Sequence, residues 1–238
     1  MPRDSSPLTT ATNIDPDCLG GLARAALRYV KSGQIIGLGS GRAASAFIRA
    51  VAEARLDIRG VPTSSGSAEL ARSLKIQLVD LDAVRRLDAD FDGADEVDPH
   101  LDMVKGRGGA MVREKVVAVA SRRRIFLVDD EKIVKRLGEH GNLPIEVVPF
   151  AAPLVLREIT KLGLKPKVRL DDGGHQFISD NGNMIFDCRV SPIRSPARLE
   201  TDLLTVPGVV GTGLFLGIAD VVLVMSGDGK ITTLRRSH

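Results

Sequence analysis

Two stretches of this chain carry the residue types that acid/base chemistry needs. The first is Asp92-Gly93-Ala94-Asp95-Glu96-Val97-Asp98, following Phe91; the second is Lys105-Gly106-Arg107-Gly108-Gly109, running on to Arg113-Glu114-Lys115. Carboxylates can move protons, a lysine can hold developing oxygen charge, and bare glycine amides can face an anion. A third stretch, Gly37-Leu38-Gly39-Ser40-Gly41-Arg42, offers the backbone of a glycine loop to a second anion. The set suits proton transfer on a phosphorylated substrate. Singly, each piece also has a plain structural reading. Asp95 could cap a helix, Glu114 could be a surface residue stabilised by the helix dipole, and the glycine loop could be a tight turn. The loop lacks the third glycine of a dinucleotide fingerprint and the Gly-Lys-Ser/Thr of a P-loop. Oxygen ligands suit Mg²⁺, but Lys105 argues against a dedicated metal cage and His100 alone is a poor ligand.

The elements that must position these groups alternate. Helical spacing over Leu19–Lys31 ends at Gly33, and Gln34–Leu38 is an apolar run suited to a buried strand. Helical periodicity returns over Arg42–Arg55, with Ala44, Phe47, Ile48 and Val51 on one face. A strand over Ile58–Pro62, a helix over Ser67–Leu74, and strands over Gln77–Leu81 and Ala89–Phe91 follow. Met111–Ser121 reads as a helix and Arg124–Val128 as a buried strand. Strands interleaved with helices imply a mostly parallel sheet with right-handed crossovers. After Pro144 the rhythm changes. Strands are expected over Ile145–Pro149, Lys165–Leu170, Gln176–Asp180 and Met184–Arg189, with helices over Ala152–Lys161 and Pro196–Leu204 and a hairpin turn at Asp180-Asn181-Gly182-Asn183. Ala219–Met225 then returns to the main sheet. The expected fold is α/β: a Rossmann-like, mostly parallel sheet flanked by helices, with a small inserted α+β (ferredoxin-like) domain. Residues 16–142 plus 208–238 would form the main domain and 143–207 the small one, behind a disordered arm at 1–15 that lacks an apolar signal core.

Composition narrows the function. The net charge is +3, with one tyrosine and no tryptophan among 238 residues. That suits an anionic metabolite and gives no platform for stacking nucleic-acid bases. Arg122-Arg123-Arg124 falls between a helix and a strand and reads as a solvated loop rather than a nucleic-acid patch. No apolar run approaches the ~20 residues that span a bilayer. Cys18 and Cys188 match no zinc or redox spacing and are expected as reduced thiols in a cytoplasmic protein.

The order and spacing of these motifs resemble the A-type ribose-5-phosphate isomerases. The likeness rests on Gly37-Leu38-Gly39-Ser40-Gly41, Asp92-Gly93-Ala94-Asp95-Glu96, Lys105-Gly106-x-Gly108 with Arg113-Glu114-Lys115, and Asp129-Asp130-Glu131-Lys132. It continues through Leu143-Pro144-Ile145-Glu146-Val147, Asp180-Asn181-Gly182-Asn183 and Pro207-Gly208-Val209-Val210. The resemblance implies reversible conversion of ribose 5-phosphate to ribulose 5-phosphate, in the pentose phosphate pathway, without metal or organic cofactor. It implies Glu114 as the base moving a proton between C2 and C1 through a cis-enediolate, Asp92 assisting ring opening and proton movement, and Asp95 orienting sugar oxygens. Lys105 with the amides of Gly106, Arg107 and Gly108 would stabilise the enediolate oxygen. Gly39, Ser40, Gly41, Arg42, Ala43, Gly93, Ala94 and Lys132 would hold substrate, with phosphate near the first loop. A homodimer or homotetramer is implied, with no nucleic-acid or membrane partner.

The chain departs from that pattern where phosphate should bind. Arg42-Ala43 stands where Ser-Thr is usual, Leu19-Gly20-Gly21 occupies the place of a usual lysine, and Arg107 replaces a glycine. Arg42 could substitute through its fork of donors. Two alternatives stay open: an isomerase acting on a different sugar phosphate, and a non-catalytic sugar-phosphate-binding protein. Sensors of the latter kind carry a helix-turn-helix ahead of this fold, for which the 1–15 arm is expected to be too short.

Overall fold

The computed structural model describes residues 16–236; the arm expected at 1–15 and His238 lie outside the described residues. The first half runs Pro16–Ala26 (α1), Ile35–Leu38 (β1), Gly41–Glu53 (α2), Arg59–Pro62 (β2), Ser65–Ser73 (α3), Gln77–Leu78 (β3) and Ala89–Asp92 (β4). Glu96–Val97 (β5), Met103–Val104 (β6), Met111–Val119 (α4) and Arg124–Asp129 (β7) follow. The second half runs Asn142–Val147 (β8), Ala152–Lys161 (α5), Lys165–Val168 (β9), Met184–Arg189 (β10), Pro196–Leu204 (α6) and Val209–Thr212 (β11). Leu214–Phe215 (β12), Val221–Met225 (β13) and Ile231–Arg235 (β14) close the chain.

Seven strands form the main sheet in the order β14-β13-β7-β4-β1-β2-β3, parallel except for β14. The chain lays down β1, β2 and β3 in one direction, then returns to place β4 on the other side of β1. That reversal opens a crevice at the carboxyl ends of β1 and β4, where open α/β sheets bind their ligands. Helical spacing explains how the sheet is covered. Ala44, Phe47, Ile48 and Val51 of α2 are all buried, and the Phe47 ring stacks on Phe91 of β4 at 4.1 Å. On the opposite face Met111 and Val117 of α4 meet the buried strands. The uninterrupted apolar run of β13 is buried throughout, as a strand covered on both faces requires.

From β8 to β11 the order is strand, helix, strand, strand, helix, strand. The four strands pair antiparallel as β11-β8-β10-β9, the ferredoxin-like arrangement. A third, three-stranded sheet of β12, β6 and β5 lies between the two.

Two expectations shift. The strand expected at Ile145–Pro149 is set back to Asn142–Val147, because Pro149 opens a short 3-10 turn. Gln176–Asp180 is not a strand and keeps only isolated bridges. Its polar side chains turn instead to Glu146 and to α3 (below), so the ladder stops. The edge strand β14 and the fourth small-sheet strand β11 carry too little apolar periodicity to be read from sequence: no position of β14 is fully buried, and the buried half of β11 is Gly211-Thr212.

Candidate active site

Lys105 sits at the floor of the crevice, and the residues around it come from four elements. Its ammonium lies 3.0 Å from Asp92 Oδ2 at the end of β4 and 3.3 Å from Glu114 Oε2 on α4. It also donates to the Gly93 carbonyl. The Phe126 and Phe215 rings flank it at 5.7 and 5.5 Å, a cation–π setting for a charge held out of water. Asp92, Lys105 and Glu114 are all buried. Asp92 Oδ1 accepts the amides of Ser40 at 3.1 Å and Gly93 at 2.7 Å, so one carboxylate ties the first loop to β4. Gly39 explains itself here: a Cβ would come 2.3 Å from Asp92 Cγ. Gly106 turns the second loop at φ +107° over Met111, a conformation that a side chain would oppose.

Burial dominates the electrostatics. It pushes Glu114 up to about 8, with the nearby Asp92 charge adding to the rise and Lys105 opposing it. Burial also raises Asp92, again against Lys105 and the Gly93 and Ser40 amides. For Lys105 burial alone would lower the ammonium, but Asp92 and Glu114 outweigh it and hold it above the ordinary lysine range. A carboxyl that titrates near neutrality beside a permanent cation is the arrangement a proton shuttle needs.

Above this floor a cleft of about 290 Å³ is lined by Ser40, Gly41, Arg42, Ala43, Gly93, Ala94, Asp95, Lys105, Gly106, Arg107, Gly108, Glu114 and Lys132, with Leu19 of α1 and Asp129 beside them. The structure thus brings together every residue read from sequence as a site candidate except Gly39 and Asp92, which lie just behind its wall. A larger hollow of about 430 Å³, beside Leu162 and Asp202, belongs to the small sheet and is remote from these carboxylates. Two loop amides expected to face substrate are committed elsewhere. Gly39 donates to the Phe91 carbonyl and Ser40 to Asp92. The Arg107 amide likewise donates to Asp95 Oδ2 at 2.9 Å. The acidic stretch also divides: Glu96 turns away to accept the Gly138 and His140 amides, and Asp98 caps the turn to Asp102. Among the described residues no group of three His, Cys, Asp or Glu side chains is arranged to hold a metal ion.

Several supports had no sequence signal. Arg169 of the small domain reaches the carbonyls of Gly106 and Arg107 at 2.8 and 3.1 Å and pairs with Asp187. Burial works against the Asp187 charge, but the Arg169 fork and Asn142 hold its carboxyl below the ordinary range. The neighbours of Glu114 brace its helix: Arg113 donates to Asn181 and the Asp180 carbonyl, and Lys115 pairs with Glu200 at 2.9 Å. The 179–183 hairpin is itself pinned by buried Glu146, which accepts from Ser179, Asn181 and Asn183. Asp180 in turn accepts from the amide and hydroxyl of Ser65, beside the Ser64 hydroxyl that Ser40 contacts at 2.9 Å. The arginine triplet, expected as a solvated loop, is only partly one: Arg122 is exposed, but half-buried Arg123 stacks on Tyr29, and Arg124 opens β7 and pairs with Asp220.

Comparison with known proteins agrees with this geometry. The family model described as ribose 5-phosphate isomerase A (phosphoriboisomerase A) matches residues 59–229. A ribose-5-phosphate isomerase A of Roseiflexus castenholzii is 46% identical over 214 residues, 88% of this chain and 92% of that one. A solved ribose 5-phosphate isomerase A from Methanocaldococcus jannaschii superposes with a TM-score of 0.87 at 38% identity, covering 93% of this chain and all of that one. A D-ribose-5-phosphate isomerase solved in complex with phospho-erythronic acid superposes with a TM-score of 0.88 at 36% identity, covering 92% and 98%.

Proposed function

The chain belongs to the ribose 5-phosphate isomerase A family, and from that premise we propose how its residues interconvert ribose 5-phosphate and ribulose 5-phosphate. Glu114, ionised, takes the proton from C2 of the open aldose. The C2–H electron pair forms the C1–C2 double bond, and the carbonyl oxygen at C1 becomes an oxyanion. Lys105 stabilises that charge in a site where water is excluded. Asp92 relays the hydroxyl proton from the C2 oxygen to the C1 oxygen, Glu114 returns its proton to C1, and the ketose results. Asp95 orients sugar hydroxyls at the cleft wall, and Gly93, Ala94, Gly106 and Gly108 shape it. The observation that supports this reading is the single ammonium of Lys105 held between Asp92 and Glu114 at the topological switch of the sheet.

The phosphate is assigned to the mouth of the cleft, where Gly41 opens α2, with Arg42 and Lys132 as its cations. A helix N-terminus and a fork of donors together suit a dianion. Arg42→Ala is therefore expected to raise KM by about 10- to 100-fold, the loss of roughly 1.5–3 kcal/mol for a hydrogen bond to a charged group, with kcat little changed. An unchanged KM would remove Arg42 from the phosphate site. Arg169→Ala should act on the loop instead. With the Gly106 and Arg107 carbonyls released, Lys105 loses its register, and kcat should fall by about 10- to 100-fold, while KM moves less. Equal effects on the two constants would point to a general loss of folding.

The direct test is turnover of ribose 5-phosphate by purified protein, followed as ribulose 5-phosphate formed in the presence of a chelator. Binding without turnover would return the chain to the altered-substrate or sensor readings. Residues 16–142 plus 208–238 and 143–207 are the proposed domains, with β11 lent to the smaller sheet. Val116, Val119 and Val210 stand out of the surface as one apolar strip, which supports assembly as a homodimer or homotetramer. Among the described residues no helix is long and apolar enough to cross a membrane. A charged sugar phosphate does not cross one either, which supports work in the cytoplasm.

A further inference from the structure

Asp90 has no place in the reaction just described, yet it lies directly behind it. It precedes Asp92 by two residues on β4, so both side chains leave the same face of the strand. Asp90 is 0% exposed, and among the described residues neither carboxyl oxygen has a hydrogen-bond partner. The Phe91 amide lies near enough to favour the carboxylate, without the geometry of a hydrogen bond. Each element packed against it can be named. From β1 comes Gly37, where a Cβ would stand 2.3 Å from Asp90 Oδ1 and 2.5 Å from Val117 of α4. From β7 comes Arg124, opposite Asp90 in register, with Nη2 held by Asp220 at 2.6 Å and Nε buried without a partner. Toward the cleft lie Asp92 and Lys105, and α4 carries Glu114.

We propose that Asp90 is a positioning residue for the isomerisation: at neutral pH it carries a proton that this buried set of carboxyl groups must hold, and its ionisation in alkaline solution shuts the site down. Two buried carboxyl groups, Asp92 and Glu114, hold the Lys105 ammonium, and a third, Asp90, stands behind Asp92 on the same face of β4. Asp92 has Lys105 and two amides to stabilise its charge, and Glu114 has Lys105. Asp90 accepts no well-formed hydrogen bond among the described residues, and a buried carboxylate in that state is the form that protein interiors least tolerate. Burial first, and then the Asp92 charge, push Asp90 up to about 8, against the more distant pull of Lys105 and Arg124. While neutral, Asp90 leaves the field of Lys105 to the reacting oxygen. Once ionised, it places a further negative charge behind Asp92, and Lys105 offers less to the enediolate. The groups titrate as a coupled set, so the limb belongs to the cluster, with Asp90 as its switch.

The inference rests on the isomerase reading, and two readouts keep the two separable. Asp90→Asn has the same shape and cannot ionise. Wild-type kcat is expected to pass through a maximum and then fall, approaching about tenfold per pH unit, whereas D90N should keep its rising acid limb and lose the alkaline fall. Infrared difference spectra, wild type minus D90N, should show a carboxylic-acid C=O stretch at neutral pH that disappears as the pH is raised. A D90N enzyme with the wild-type alkaline limb would overturn the proposal. So would the absence of that band, which would make Asp90 an ionised partner of Arg124 across a buried water. If the wild type binds ribose 5-phosphate without turning it over, the isomerase reading fails and the infrared band still decides the state of Asp90. Should D90N not fold, Asp90→Thr offers a second neutral side chain for both measurements.

Discussion

Glu114→Gln is expected to abolish most turnover of ribose 5-phosphate, lowering kcat by about 10²- to 10⁴-fold, the range for a positioned general base, while KM changes little. The substitution keeps the shape of the side chain and its contact with Lys105, so the phosphate and hydroxyl sites remain. The same variant should be more stable than the wild type, and the difference should depend on pH. Burial lifts the Glu114 carboxyl from an ordinary 4.5 to about 8, so the folded protein holds that proton more tightly than the unfolded chain. Where the folded state binds more protons, stability falls as pH rises. The burden is therefore absent well below 4.5, grows through the window from 4.5 to about 8, and is complete above it. Glutamine carries none of it. Thermal denaturation at pH 8 should favour E114Q by a few kcal/mol at most, since one unit is worth about 1.4 kcal/mol, and the advantage should vanish near pH 4. A variant that is inactive and also less stable at pH 8 would mean that Glu114 holds α4 in place rather than serving as the base.

The chemistry was legible because its residue types are local in sequence. Asp92, Lys105 and Glu114 each sit within a few residues of a strand end, a glycine turn or a helix start, and such boundaries leave marks that one sequence shows. Fold class followed from alternating strand and helix patterns for a similar reason, since α2 and β13 bury their apolar residues at 3.6-residue and continuous spacing. What the sequence hid is non-local. Arg169 reads as one more charged residue of a half-exposed strand until the fold carries it across 63 positions to the Gly106 carbonyl. Glu146 looks like a polar interruption in an apolar strand, and only the folded hairpin supplies its three donors. Asp90 was hidden differently. It sits in a run of residues that reads as a buried strand, and its meaning depends on neither carboxyl oxygen accepting a well-formed hydrogen bond among the described residues. Loop amides failed for a third reason: glycine spacing shows that backbone is accessible, but not which carbonyl or carboxylate has already taken it, as at Gly39, Ser40 and Arg107.

Lys105→Met tests whether the ammonium acts on the transition state or on the ground state. Methionine fills nearly the same apolar volume between Phe126 and Phe215 and removes the charge alone. If Lys105 stabilises the enediolate, kcat should fall by about 10²- to 10³-fold, the cost of losing one donor to a developing oxyanion. KM should hold. A raised KM with kcat preserved would instead make Lys105 a binder of the resting sugar. The fold should report the same charge. Without it, Asp92 and Glu114 are buried with no counter-ion, and breaking a buried pair from one side costs about 3–5 kcal/mol. The native ammonium is held above the ordinary lysine range by those two carboxylates. Its contribution is thus complete below the unfolded lysine value, ~10.4, and is lost only as pH rises past that toward the folded one. Acid removes the effect by another route, because protonated Asp92 and Glu114 no longer need a cation. The stability gap between wild type and K105M should therefore be wide at pH 8 and narrow toward pH 5. A gap that stayed constant across that range would place Lys105 in the core as packing, and its effect on kcat would then have to come from the loop it anchors.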